Sequence, residues 1–499
     1  MQAYQRLEGI FKKVDHLEGI KATLHWDTAV IMPKGGQQAR GEQLATLEAI
    51  IHENITSQEV SDLLDAAEDE EKYDHHSAWQ QASLREMRRQ WKHANAVNAD
   101  LVTALTRAGS MCEMAWRTAR EDNDFASFAP LFKKVVSLVK EVGQAKAESF
   151  GCPIYDALLD HYDAGRTSAE IDTIFADLEQ FLPGFIEEVL EHQRSKPAIL
   201  PLHGTFPIEK QKALGLFCME HLGFNFDRGR LDVSAHPFCG GIPSDVRLTT
   251  RYNEQEFITA LMGIQHETGH AMYEDHLPVE WLELPVGKAC GMAIHESQSL
   301  LIEMQACRSH EFLSFILPHI RTTFGVSGKE WELDNFHRIT TEVKRSLIRV
   351  DADEVTYPAH VILRYKLEKA LLSGDLVVND LPTAWNECMQ QYVGITPDSD
   401  KNGCLQDIHW TDGSFGYFPT YTLGAIYAAQ FFKAAKKDFP SIPDDISRGN
   451  FSNLIHWLND HVYQYGSFYQ ANDLLTHATG ESINVDIYKQ HLRERYLGI

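Results

Sequence analysis

The chain has 499 residues, enough for a large core and, on length alone, for about three domains. Its 71 acidic against 46 basic residues leave a net charge of −25, which argues against nucleic acid or an anionic membrane as a partner, since both demand a dense basic face. Eight cysteines without a Cys-x-x-Cys pair are too sparse for a disulfide scaffold and read as reduced thiols.

The first residues, Met1 to Glu8, carry scattered charge and no apolar core of signal-peptide length, and no window reaches 18 uninterrupted apolar residues. A cytoplasmic enzyme without a membrane partner is expected. Leu7, Ile10, Phe11, Val14 and Leu17 recur at helical spacing, as do Leu44, Leu47, Ile50 and Ile51. A polar-rich helical run extends from Tyr73 to about Ala119, and the same periodicity returns at Phe132–Val142 and Ile171–Leu190. Arg230–Ser234 and Val246–Tyr252 differ: β-branched and alternating residues flank a turn at Cys239–Pro243, which predicts a small hairpin or sheet. Its edge is suited to pairing with a substrate backbone, and equally to a purely structural role. Helical patterns resume at Phe312–Phe324, Leu363–Leu372 and Leu454–Tyr465. No linker, low-complexity tract or repeat marks a boundary, so a single large catalytic unit over 1–499 is expected, with a helical N-terminal part over roughly 1–225 and a catalytic part over roughly 226–499.

Directly after the predicted sheet stands His266-Glu267-Thr268-Gly269-His270. Phe257, Leu261 and Ile264 place it on a helix, and side chains four apart on a helix differ in direction by only about 40°, so both imidazoles can hold one divalent ion. Glu267 then lies beside the ion, placed to take a proton from the attacking water and pass it to a departing amine, which is peptide-bond hydrolysis. Glu296, in His295-Glu296-Ser297 at the head of another apolar periodic segment, is the third ligand candidate, and two histidines with one carboxylate leave a zinc ion an open position. Glu303 competes for that place, or instead supports a ligand histidine through a hydrogen bond.

Six ordered motifs between residues 236 and 410 resemble the carboxypeptidase Taq family of zinc metallocarboxypeptidases. They are His236-Pro237-Phe238, Asp245-Val246-Arg247-Leu248-Thr249, the His266–His270 stretch, His295-Glu296-Ser297-Gln298, Ile348-Arg349-Val350-Asp351-Ala352-Asp353, and Gly403 to Trp410, reading Gly-x-x-Gln-Asp-x-His-Trp. His25-Trp26-Asp27 is also familiar in the family. The resemblance implies a mainly α fold, a large helical metallopeptidase body with a deep groove and a small β-sheet beside the zinc-binding helix. It further implies a homodimer, one Zn2+ per subunit with Co2+ as a substitute, and removal of single residues from peptide C-termini with broad specificity. An oxyanion needs a donor besides the ion, and Tyr417 and Tyr421 rank above His409 and His236 for that task, although each tyrosine also suits plain packing. A free carboxylate calls for an arginine fork: Arg349 is the first choice, unless Asp353 or Asp351 pairs with it internally, and Arg247 and Arg251 follow. Two rivals remain, a zinc endo- or oligopeptidase with the same centre and a catalytically silent binding protein. The silent reading leaves Glu267, which ligates nothing, without a purpose.

Overall fold

The structure, a computed structural model, describes residues 2–71 and 76–499. Long helices dominate, and a single small sheet stands among the described residues. Of the predicted run from Tyr73 to Ala119, residues 73–75 lie outside the described residues, and two helices follow, Ala78–Asn95 and Ala99–Asp122. The break has a local cause: Asn98 adopts an extended backbone, and its side chain accepts from the Leu101 N–H at 2.9 Å, capping a new helix. The predicted segment at Ile171 opens the same way, with a reciprocal Thr167/Glu170 capping box ahead of helix Ser168–Ser195.

The chain gathers into two compact units, each built from three separated stretches. The first comprises Met1–Ala94, Ile199–Thr340 and Gly424–Asn484, and the second Asn95–Ala198, Thr341–Leu423 and Val485–Ile499. In the first unit the opening helix, Gln2–Val30, buries Tyr4, Leu7 and Phe11 against Val60, Leu64, Leu284 and Val286. In the second, Glu354 accepts from Arg495, Tyr496 and His491 at 2.8–3.0 Å and so fastens the final helix, Val485–Leu497.

The sheet has strands β1 (Gly229–Val233), β2 (Cys239–Ile242) and β3 (Asp245–Thr250) in the order β1-β3-β2, with β1 parallel and β2 antiparallel to β3. The stretch expected as a turn therefore includes a strand, and the reversal itself falls at Pro243–Ser244. Gly241 makes this possible: its φ is +92°, and a Cβ there would lie 2.1 Å from the Asp245 carbonyl oxygen, so a hairpin this tight accepts only glycine. Val246 and Leu248 of β3 pack with Met219, Phe224, Ile264, Ala271 and Met272, which seats the helix Ile258–Asp275 on the sheet.

Candidate active site

The helix Ile258–Asp275 carries the His266–His270 motif, and Phe257, Leu261 and Ile264 are its buried apolar side, as their spacing requires. The imidazoles of His266 and His270 stand with ring centroids 5.0 Å apart, nearly perpendicular. A second helix, Gly291–Leu300, presents Glu296, whose Oε2 lies 3.9 Å from His266 Nε2 and 3.5 Å from His270 Nε2. One donor atom from each of these three residues falls within 4.8 Å of the others. Ligand atoms about 2.1 Å from a shared tetrahedral ion stand roughly 3.4 Å apart, so two imidazoles and a carboxylate at these separations fit one divalent ion.

Two glycines allow the approach. A Cβ on Gly269 would meet the Gln298 carbonyl oxygen at 2.5 Å and Ser299 Cα at 2.6 Å, and one on Gly424 would meet Cβ and Cγ of Glu296 at 2.9 Å. Immediately after Gly291–Leu300 the backbone continues as a π-helical segment, Leu301–Cys307, a form that often marks functional positions. It carries Glu303, whose Oε2 accepts from His266 Nδ1 at 3.0 Å while Oε1 accepts from Arg308 Nη2 at 2.7 Å. Of the two places open to Glu303 in the sequence, the geometry puts it in hydrogen-bond contact with His266, outside the group of three converging donor atoms.

Charge in this cluster is strongly coupled. Burial opposes a proton on His266, but Glu296, Glu303 and Glu267 outweigh it and push its pKa up to about 10. Burial, and then His295, push His270 down to about 4. Glu267, 7% exposed, is driven up to about 7 by burial, with Glu296 and Glu303 adding to the rise and His266 opposing it. Sequence reasoning missed Glu274 and Arg308. Glu274 follows His270 by four residues, the same helical spacing that links the two motif histidines, and that spacing was its signal.

His236 is exposed in the connection between β1 and β2, where its carbonyl accepts from Ser234 Oγ at 2.6 Å. Arg247 grips Asp245 through Nε and Nη2 and lies over the Trp26 ring, 4.4 Å from its centroid. The familiar His25-Trp26-Asp27 stretch thus contributes a platform for a strand arginine.

Arg349, His409, Tyr417 and Tyr421 come together within the second unit. Arg349 is 5% exposed, and its Nε and Nη2 donate to Asp407 at 3.1 and 3.0 Å while Nη1 donates to Tyr357 Oη at 2.6 Å. Arg349–Asp351 is a single 3-10 turn rather than an α-helix, so neither anticipated aspartate is its partner; Asp353 instead accepts from the backbone N–H groups of Lys344, Val355 and Thr356. Arg364, fully buried, also donates to Asp407, from Nε at 2.6 Å. Tyr421 Oη stands 3.4 Å from His409 Nε2, and the rings of His409 and Tyr417 stack with centroids 5.6 Å apart. Burial, and then the charges of Arg349 and Arg364, push His409 down to about 4 and keep it neutral at physiological pH. No helix among the described residues is long and apolar enough to cross a membrane.

The family described as carboxypeptidase Taq (M32) metallopeptidase matches residues 6–496. Thermostable carboxypeptidase 1 of Thermus thermophilus is 35% identical over 100% of this chain and 99% of its own length. Among solved structures, metallocarboxypeptidase 1 of Trypanosoma cruzi superposes with a TM-score of 0.97 at 40% identity, covering 99% of both chains. The M32 carboxypeptidase of Deinococcus radiodurans R1 gives 0.93 at 33% identity, again over 99% of each. A match running nearly end to end, over a site that holds two histidines and a glutamate in ligand range, places the chain in the carboxypeptidase Taq (M32) family of metallopeptidases.

Proposed function

We propose that this metallocarboxypeptidase releases single residues from the C-termini of peptides with broad tolerance, using one zinc ion per subunit held by His266, His270 and Glu296. Cobalt serves as a substitute, and the working form is a cytoplasmic homodimer in which the whole chain acts as one catalytic polypeptide. The observation that carries the reading is the convergence of three donor atoms within 4.8 Å beside a nearly buried Glu267. A bound divalent ion supplies Lewis-acid polarisation of the scissile carbonyl and a lower pKa for the attacking water.

Glu267, nearly buried, takes the proton of the attacking water and returns it to the leaving amine. Glu303, by accepting from His266 Nδ1, keeps that ring turned with Nε2 toward Glu296. For the oxyanion we assign Tyr417 or Tyr421, with His409 and His236 as further donors or substrate contacts. Arg349 is assigned to the substrate carboxylate. In support, two guanidinium groups share the single carboxylate of Asp407, which leaves positive charge to be balanced by an anion. Arg247, held by Asp245 and lying over Trp26, is assigned as a further substrate contact after Arg349.

Timed analysis of products from a mixed peptide set tests the assignment. Free amino acids should appear one after another, and peptides with an amidated C-terminus should resist. Internal fragments, or equal cleavage of amidated and free peptides, would instead indicate an oligopeptidase.

A further inference from the structure

His270 has two ring nitrogens, and the structure gives each a different neighbour. Nε2 faces Glu296 Oε2 at 3.5 Å, on the side where the three donor atoms converge. Nδ1 lies 2.6 Å from Nδ1 of His295, and the other nitrogen of His295, Nε2, lies 2.9 Å from Glu274 Oε1. His295 adjoins the ligand Glu296 on the helix Gly291–Leu300, and Glu274 sits one turn beyond His270 on the motif helix, so two elements enclose the chain of contacts.

Proton placement along this chain follows from Glu274. A carboxylate only accepts, so His295 must carry its proton on Nε2 and donate it to Glu274. A ligating His270 keeps its one proton on Nδ1, which faces His295 Nδ1 at hydrogen-bond distance, so His270 donates there and His295 accepts with the lone pair left on its own Nδ1. What remains on His270 is the lone pair of Nε2, directed at the cluster. The reverse assignment would set a lone pair of His295 against the Glu274 carboxylate. His266 is fixed by one direct contact with Glu303, whereas His270 is fixed through an intervening ring.

We propose that Glu274 and His295 are positioning residues that impose a single tautomer on His270, Glu274 acting through His295, so that His270 Nε2 is held ready for the metal. The inference rests on the reading of His270 as a ligand. Partners of this kind typically change metal affinity by ten- to a hundredfold.

The test measures Zn2+ affinity of the full chain by competition with a chelating dye, alongside the thermal midpoint of the metal-free protein. His295→Phe, which keeps a ring and removes both nitrogens, should weaken Zn2+ binding about ten- to a hundredfold, and Glu274→Gln about tenfold. His295→Asn places an amide oxygen where Nδ1 stood, so it should recover most of the affinity lost in His295→Phe. In that background Glu274→Gln should have no further effect, because the link it acts through is gone; a merely structural role would give the same loss in both backgrounds. His270→Ala serves as the control for the underlying reading and should abolish tight binding. If His270→Ala still binds Zn2+ as tightly as the unmodified chain, the ligand assignment is wrong. If His270→Ala loses the ion while His295→Phe and Glu274→Gln retain full affinity, or if the effect of Glu274→Gln persists unchanged in His295→Asn, the positioning role is overturned.

Discussion

Gly269 and Gly424 show how little room surrounds the cluster of His266, His270 and Glu296. Gly269→Ala drives a methyl group into the backbone at Gln298 and Ser299, and overpacking of this kind destabilises by about 1–3 kcal/mol. Gly424→Ala presses instead on the side chain of Glu296, so it should weaken Zn2+ binding by roughly tenfold, in the range known for disturbed ligand supports, with a smaller shift in thermal midpoint. Chelator titration and calorimetry of the two variants would show whether the effects divide in this way. Glu267→Gln should retain the metal by elemental analysis yet lose turnover by about 10²–10⁴-fold, because it removes proton transfer and no ligand. Metal loss in that variant would count against the role. The pairing of His266 with His270 was legible in the sequence because it is local: four residues on a helix set one ring beside the other. The contact of His295 with His270 and the close approach of Gly424 to Glu296 join separate helices, and no spacing rule reports them.

Among the elements, helices were read well where apolar spacing was strong and less well where a capping residue intervened, as at Asn98. The sheet was anticipated, but its order was not: placement of β3 between β1 and β2 depends on tertiary packing, and Gly240-Gly241 reads as a turn until the close approach to Asp245 is known. The π-helical segment Leu301–Cys307 had no signature in the apolar pattern. The last helix offers a pH test. Burial would raise the Glu354 carboxyl, yet His491 and Arg495 outweigh it and hold its pKa at about 2 against an ordinary 4.5. A depressed carboxyl contributes stability that is present above pH 4.5 and is lost as pH falls toward 2. Glu354→Gln should therefore destabilise by roughly 2 kcal/mol at neutral pH, with the difference from the unmodified chain shrinking through that window, as urea unfolding at stepped pH would reveal.

At the scale of the whole molecule, apolar periodicity and motif order indicated a helical metallopeptidase, but division into two units left no mark, because each unit is assembled from three stretches far apart in the chain. Interleaving makes a prediction for fragments. Leu284 and Val286 bury themselves against Tyr4, Leu7 and Phe11, and Trp281 stacks on Trp79 with centroids 5.3 Å apart, so removal of residues 1–94 uncovers a core rather than a surface. Residues 199–499 expressed alone should aggregate or lack a cooperative melt, judged by size exclusion and circular dichroism; a monodisperse, cooperatively melting fragment would refute this. The same arrangement sets the timetable of synthesis. At about 5–20 residues per second, the apolar flank of the opening helix waits some tens of seconds on the ribosome for Leu284 and Val286 to emerge. Through that interval Tyr4, Leu7 and Phe11 depend on nearby helical neighbours or on a chaperone to keep them from strangers.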